Sequence, residues 1–152
     1  TNLSRQESAA LIEAYYKTYP KLKAYMQEQV DFARENGYVQ TVLGRRRYLK
    51  DINSRNAVVR GAAERNAVNA PIQGSAADMI KMAMINIYNE LKNNNFKTKM
   101  LLQVHDELVF DVYKPELEIV KPIIEKLMRE ALPLNVPVEV GIGVGLNWLE
   151  AH

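Results

Sequence analysis

Residues 98–112 read TKMLLQVHDELVFDV and determine the fold more clearly than any other stretch of the chain. Two apolar runs, Thr98 to Val104 and Leu108 to Val112, flank the polar segment His105-Asp106-Glu107. Apolar runs of this length around a short polar segment are typical of a β-hairpin. We predict two buried antiparallel strands that hold the turn between them rigidly.

This turn carries two adjacent carboxylates, Asp106 and Glu107. Polar residues at a turn usually serve only the turn itself. Two neighbouring carboxylates, however, repel each other unless a cation lies nearby. A hard cation such as Mg²⁺ binds oxygen ligands, and a rigid hairpin places such ligands accurately. A solvated turn and a metal-binding turn are the two interpretations of this pattern.

The first third of the chain predicts two helices. Ser4-Arg5-Gln6-Glu7 has the pattern of a capping box, so a helix should begin there and run to about Thr18. Pro20 is suited to the first position of a second helix, and Gly37 is a good stop for it.

A basic hairpin should follow these helices. Residues 38–43 alternate in polarity and contain β-branched side chains, which indicates a short strand. Arg47-Tyr48-Leu49 is expected to return as its partner, with Gly44 to Arg46 at the tip.

The middle of the chain predicts two further helices separated by a proline. Asn53 or Ser54 should cap a helix from about residue 55 to 69. Pro71 should end or sharply kink that helix because proline has no N–H for the helical ladder. A long helix from about residue 72 to 93 is expected after it.

The last part of the chain predicts one helix and one strand after the hairpin. Pro115 should start a helix that reaches about Leu132, and residues 138–144 should form a final strand with glycines inside it. Trp148 is expected to anchor the end of the chain. Helices followed by strand–strand–helix–strand indicate an α+β fold with an antiparallel sheet.

Three polar residues, Arg65, Asn69 and Gln73, recur every four positions in an otherwise apolar segment. On an ideal helix each is displaced by only about 40° from the last. One interpretation is capping, with Asn69 as the cap of a helix that begins at Pro71. The other is a row of donors and acceptors that faces a polar ligand.

Positive charge is concentrated next to this row. Residues 45–65 contain seven basic and two acidic side chains, a net charge of +5, whereas the whole chain carries +2. Such a local excess indicates either a polyanion-binding surface or a solvated charged loop.

Bulk composition excludes several classes of protein. With 152 residues, 47% hydrophobic and 25% charged, the chain is long enough and apolar enough for a folded domain. No apolar run is long enough to span a membrane. The absence of cysteine excludes disulfides and thiolate metal sites, and it fits a reducing cytoplasm. The polar start, without methionine, indicates a cut inside a longer chain.

Four segments together resemble the family A DNA polymerases, the group that includes bacterial DNA polymerase I. The resemblance covers essentially the whole chain, in order and with fitting spacing. The segments are Leu43-Gly44-Arg45-Arg46-Arg47-Tyr48-Leu49, Asn69-Ala70-Pro71-Ile72-Gln73-Gly74-Ser75-Ala76-Ala77-Asp78, Gln103-Val104-His105-Asp106-Glu107 and Gly143-Val144-Gly145-Leu146-Asn147-Trp148.

The resemblance implies roles for the residues already singled out. Asp106 would be a ligand of the catalytic metal ions, Glu107 would support that site, and His105 would lie near the primer terminus. A second set would contact DNA, on the minor-groove side of the primer–template or at its backbone: Arg65, Asn69, Gln73, Arg45, Arg46 and Arg47.

It also implies an incomplete enzyme. Residues 1–70 would be the C-terminal part of the fingers region, with the basic hairpin and helices. Residues 71–152 would be the C-terminal part of the palm, with the long helix, catalytic hairpin, helix and final strand, the two forming one compact truncated unit. The other metal aspartate and the nucleotide-binding fingers helix would lie upstream, so only part of a two-Mg²⁺ site would be present.

The function implied is template-directed, metal-dependent nucleotidyl transfer from dNTPs to a primer 3′-hydroxyl, in DNA replication and repair. The isolated fragment should be inactive, and its exposed sheet edges should favour self-association. The expected partners are primer–template DNA and dNTP, with no membrane, and the expected location is the cytoplasm, with the nucleoid. A non-catalytic nucleic-acid-binding module and a purely structural domain are the rival interpretations.

Overall fold

The computed structural model describes residues 3–151, which divide into two compact units. The first unit ends at Ser75 and the second begins at Ala76. Each unit has its own hydrophobic core. No helix in the described part of the chain is long and apolar enough to cross a membrane.

Two helices open the first unit, as the sequence predicts. Helix α1 spans Arg5–Thr18, and the capping box at its start is complete. The Glu7 N–H donates to Ser4 Oγ at 3.2 Å, and the Ser4 N–H donates to Glu7 Oε2 at 2.8 Å. Helix α2 spans Pro20–Asn36 and is capped by Gly37, whose φ of 77° lies in the left-handed region that glycine adopts without strain.

The basic hairpin follows α2, with a first strand shorter than the sequence predicts and a second strand shifted by one residue. Strand β1 spans Tyr38–Gln40 and pairs antiparallel with β2, Arg46–Tyr48, so that Val39 lies opposite Arg47. Thr41–Arg45 forms the connecting loop, and Arg46 therefore belongs to a strand rather than to the tip. Val39 is fully buried and shares the core of the first unit with side chains from α2, α3 and the segment after β2. These are Ala33, Leu49, Ile52, Ala63, Ala67 and Ala70.

Helix α3 is one continuous helix, Ala57–Asn93, and the prediction of two helices separated at Pro71 is wrong. Proline removes only one donor from the ladder, and Pro71 itself is buried. The alanines at 63, 67 and 70 hold the preceding turns in the core, which favours continuation of the helix. The cap is Asn56, not Asn53 or Ser54, because its Oδ1 accepts from the Val58 N–H at 3.0 Å.

The second unit contains the predicted long hairpin. Strand β3 spans Lys99–Val104 and pairs antiparallel with β4, Glu107–Asp111, with a register shift between Met100 and Leu102. Such a shift is typical of a β-bulge with Leu101 as the extra residue.

One face of this hairpin packs on helices. A 3₁₀ turn at Lys114–Glu116 leads into helix α4, Leu117–Arg129, somewhat shorter than predicted. Alternate residues of β4, Leu108 and Phe110, pack against a core built from α3 and α4, as the two-residue period of a strand requires. The buried residues of that core are Ala83, Ile87, Leu91, Val120, Ile124 and Ala131.

The expectation that both strands are buried is wrong, because β4 is only half-buried and β3 is largely exposed. Leu101 and Leu102 are 57% and 46% exposed, because the sheet has only two strands in the described residues and nothing covers its outer face. The mixture of helices with small antiparallel sheets nevertheless confirms the α+β class.

The predicted final strand over residues 138–144 is also wrong, because no strand pairs with this segment in the described residues. Gly143 serves close packing instead, because a Cβ at this position would overlap the backbone of Ala151. Ala151 lies in a short helix, α5, Trp148–Ala151. Trp148 is 48% exposed and does not anchor the chain end in a core.

Candidate catalytic turn and nucleic-acid interface

The turn between β3 and β4 consists of two residues, His105 and Asp106. Val104 pairs with Glu107, so Glu107 is the first residue of β4 rather than part of the turn. His105 has a φ of 54°, in the left-handed region where histidine is enriched relative to most side chains. Gln103 Nε2 donates to the His105 carbonyl at 2.8 Å, which ties the end of β3 to the turn.

The Asp106 side chain is exposed at the tip of this turn. Glu107 is half-buried and takes part in a polar contact of its own. Asp111 lies at the far end of β4, opposite Lys99, too far along the strand to share a ligand with Asp106. Among residues 3–151, no three ligating side chains are grouped tightly enough to hold a metal ion. The turn thus presents one carboxylate to a cation, which fits half of a site built from separate elements.

The polar row Arg65, Asn69 and Gln73 lies on the single helix α3, and all three residues are exposed. Asn69 does not cap a helix, because α3 continues through Pro71. The capping interpretation is therefore wrong, and the row remains an exposed set of donors and acceptors. Asp78, four residues after Gly74, is buried at 7% exposure and lies inside α3.

The three consecutive arginines of the hairpin have different surroundings. Arg45 donates from Nη2 to the carbonyl of Gly74 at 3.0 Å. The Arg46 guanidinium lies 4.4 Å from the centroid of the Tyr38 ring, a cation–π arrangement. Arg47 is exposed at the position opposite the buried Val39. The three are thus not equivalent sources of positive charge.

Part of the basic segment is neutralised within the first unit. Glu64 lies 2.7 Å from Arg34 and 3.6 Å from Arg60, so the Arg60 charge is balanced locally. The exposed basic side chains that remain in residues 46–65 are Arg46, Arg47, Lys50, Arg55 and Arg65. The positive surface is therefore smaller than the sequence count indicates.

Glu116 was not anticipated from the sequence, yet it fixes the start of β3. Its carboxylate accepts from the N–H of Lys97 and of Thr98, both at 2.9 Å, and from Thr98 Oγ1 at 2.7 Å. Desolvation raises the pKa of Glu116, but these hydrogen bonds and the Lys97 charge together lower it below its ordinary value. In the sequence, the only indication of this contact is that an acidic residue follows Pro115, in the connection between β4 and the next helix.

Gln103, Thr41 and Ser75 are further residues whose contacts the sequence did not reveal. Gln103 lies two positions before His105, and a side-chain amide so close to a tight turn is typical of a hydrogen bond to that turn. The Ser75 hydroxyl accepts from the Val42 N–H at 2.9 Å, across 33 residues of chain. No local pattern indicates a contact at that separation.

Comparison with known proteins agrees with this architecture. The family model for DNA polymerase family A matches residues 1–150. DNA polymerase I of Caldicellulosiruptor bescii is 51% identical over 148 residues, which are 97% of this chain and 17% of that protein. DNA polymerase I of Streptococcus pneumoniae serotype 4 is 50% identical over 149 residues, 98% of this chain and 17% of that protein.

A solved structure gives the same result for the fold. The POL domain of Pol1 from M. smegmatis, in complex with DNA primer-template and dNTP, matches with a TM-score of 0.95 at 46% identity. The match covers 99% of this chain and 26% of that one. The chain spans about a sixth of the length of the curated relatives it matches. By its sequence and by its fold, this chain belongs to DNA polymerase family A.

Proposed function

We propose that this chain is the C-terminal part of a DNA-directed DNA polymerase that transfers nucleotides from dNTPs to a primer 3′-hydroxyl on a template. The observation that carries the proposal is the exposed Asp106 at the tip of a two-residue turn, within the segment Gln103-Val104-His105-Asp106-Glu107. The relative in M. smegmatis, solved with primer-template and dNTP, supports the same substrates here. Such an enzyme is expected with the nucleoid, in the cytoplasm.

Asp106 is the residue of this chain that would hold a divalent metal ion, and we assign Mg²⁺ to it. Its exposed carboxylate has the oxygen chemistry that Mg²⁺ requires. When bound, two such ions activate the attacking hydroxyl and stabilise the pyrophosphate leaving group. Glu107 would support the site from the start of β4, and His105 would lie beside the primer terminus.

The exposed polar residues of α3 would contact the primer–template. Arg65, Asn69 and Gln73 offer guanidinium and amide donors and acceptors at four-residue intervals, which suits the hydrogen-bonding edges of a minor groove. The hairpin would contribute positive charge for the DNA backbone through Arg46 and Arg47, and to a lesser degree through Arg45.

The isolated chain should bind Mg²⁺ weakly and should not extend primers. Residues 3–151 hold no group of three ligating side chains that could bind a metal ion, so Asp106 lacks the partners of a complete two-ion site. Incubating the 152-residue chain with labelled primer–template, dNTPs and Mg²⁺ tests this, with full-length polymerase as the positive control. Templated incorporation by the chain alone would contradict the half-site assignment.

We also propose that the isolated chain self-associates. The outer face of β3 exposes Leu101 and Leu102, and β3 and β4 both present open edges in the described sheet. Light scattering over a range of concentrations tests this proposal. A molar mass that stays equal to that of one chain at high concentration would contradict it.

The polymerase and the non-catalytic module differ in their preference for a primer end. We expect the full-length protein to bind a recessed 3′ terminus more tightly than an end-free duplex circle, with Mg²⁺ strengthening that preference. Fluorescence anisotropy with the two DNAs, at matched salt, measures it. Equal binding to both DNAs, together with no primer extension, would instead support a non-catalytic nucleic-acid-binding module.

A further inference from the structure

The loop Thr41–Arg45 is fastened to α3 by a set of contacts that the proposed reaction does not use directly. We define the loop–helix junction as the contacts of residues 41–45 with Gly74 and Ser75, together with the hydrogen bond from Ser75 to Pro71. All of them lie within the first unit. We infer that this junction positions the DNA-contacting side chains, and that Arg45 acts mainly as a positioning residue rather than as a phosphate ligand.

Close approach at the junction depends on Gly74. A Cβ at this position would lie 2.6 Å from Thr41 Cγ2 and 3.5 Å from Arg45 Nη2. Thr41 is 7% exposed, so its methyl group has no solvent-filled space to move into. Only glycine therefore allows the loop to lie this close to the helix.

Ser75 links the loop to the proline turn of α3. Its hydroxyl donates to the Pro71 carbonyl at 2.6 Å and accepts from the Val42 N–H at 2.9 Å. One hydroxyl thus joins the loop backbone to the turn of α3 that begins at Pro71.

The loop itself is closed by internal hydrogen bonds. The Thr41 N–H donates to the Arg45 carbonyl at 2.9 Å, and the Gly44 N–H donates to the Thr41 carbonyl at 2.8 Å. The Arg45 N–H also donates to Thr41 Oγ1, at 3.2 Å. Because these hydrogen bonds close the loop, its attachment to α3 also holds β2 in place, and β2 carries Arg46 and Arg47.

The geometry of α3 separates the junction from the polar row. At 3.6 residues per turn, Ser75 lies about 160° and Gly74 about 100° around the helix from Gln73. The loop therefore contacts α3 away from the face of Gln73 and leaves the row exposed. It fixes the position of Arg46 and Arg47 relative to Asn69 and Gln73 without occupying the surface that we assign to DNA.

This inference rests on the proposed function, and salt dependence tests it in the full-length polymerase. Each phosphate contact that is lost reduces the slope of log affinity against log salt by about 0.9. Arg47→Ala should show that reduction. Ser75→Ala should weaken primer–template binding about fivefold, as expected for a lost hydrogen bond, while the slope and the rate at saturating DNA stay at wild-type values. Arg45→Ala should weaken binding to the same degree, with a reduction in slope clearly smaller than that of Arg47→Ala.

A conservative variant and a paired variant complete the experiment. Ser75→Thr keeps the hydroxyl and should bind nearly as wild type. Gly74→Ala should weaken binding, and adding Thr41→Ser, which removes Cγ2 but keeps Oγ, should restore most of it. If Ser75→Ala does not fold, the DNA affinity of Gly74→Ala with and without Thr41→Ser tests the inference by itself.

The outcomes separate the two proposals. Wild-type affinity in Ser75→Ala, a slope reduced in Arg45→Ala as much as in Arg47→Ala, or no recovery in the paired variant would overturn the inference alone. A wild-type enzyme with no preference for primer–template would instead overturn the proposed function.

Discussion

Gln103 and His105 are joined at the candidate catalytic turn by a hydrogen bond from Gln103 Nε2 to the His105 carbonyl oxygen, at 2.8 Å. His105 occupies the left-handed backbone region, with φ at 54°, and Asp106 follows it. The outer face of β3 is open, so packing does little to hold the turn from that side. The Gln103 amide therefore helps to orient the turn, a role that we expected burial of the two strands to have.

Replacing Gln103 with alanine should loosen the turn and slow nucleotide transfer by the full-length polymerase. Loss of one hydrogen bond, about 1 kcal/mol, corresponds to about a fivefold lower rate at saturating DNA and dNTP. Primer–template affinity should change little, because Gln103 lies outside the proposed DNA row. Rapid-quench kinetics measures the rate, with Gln40→Ala, an exposed glutamine on β1, as the control. An unchanged rate in Gln103→Ala would show that Gln103 does not orient the turn for nucleotide transfer.

The backbone of His105 predicts an ordered response to substitution in the isolated chain. Valine is β-branched and poorly accommodated at positive φ, so His105→Val should destabilise the chain by about 1–3 kcal/mol. His105→Asn and His105→Gly, whose residues adopt this region readily, should unfold close to wild type. Urea titration followed by circular dichroism compares the three. Equal stability of the valine and glycine variants would show that the turn has a different backbone.

The lowered pKa of Glu116 predicts an acid-dependent contribution to the stability of the second unit. Because the pKa is below the unfolded value of 4.5, the unfolded state binds the proton more readily. The contribution is fully present above that value and is lost as pH falls through the lower, folded-state pKa. Glu116→Gln should therefore be less stable than wild type near neutral pH.

Below the folded-state pKa that difference should shrink. Thermal unfolding of the 152-residue chain at a series of pH values from neutral to about 3 measures the difference, with the exposed Glu118→Gln as the matched control. A difference between wild type and Glu116→Gln that stays constant with pH would contradict the hydrogen-bonded carboxylate.

Local signals in the sequence predicted much of the fold correctly. The capping box at Ser4 and the glycine at 37 place the ends of α1 and α2, because both act within a few residues of the chain. The hairpin around Asp106 was predicted from two apolar runs and confirmed, although its turn is one residue shorter than expected. The four-residue spacing of Arg65, Asn69 and Gln73 correctly indicated one helical face.

The errors arose where tertiary contacts override local preference. Pro71 did not end α3, because packing of neighbouring alanines outweighs one missing hydrogen bond. Residues 138–144 have β-branched side chains but no partner strand among the described residues, so they form no ladder. The Ser75–Val42 contact joins positions 33 residues apart and is invisible to any periodicity. The site residues themselves remain proposals that rest on the resemblance and on their exposure.

The most direct test of the central claim is the single-turnover rate of nucleotide incorporation by full-length polymerase carrying Asp106→Asn, which keeps the size of the side chain but removes its charge. The matched control is Asp111→Asn, at the far end of the same strand. We expect Asp106→Asn to lose at least about a thousandfold in rate, roughly 4 kcal/mol of transition-state stabilisation. Primer–template affinity should remain near wild type, and Asp111→Asn should incorporate normally. A rate for Asp106→Asn within a few-fold of wild type would contradict the assignment of Asp106 to the metal site.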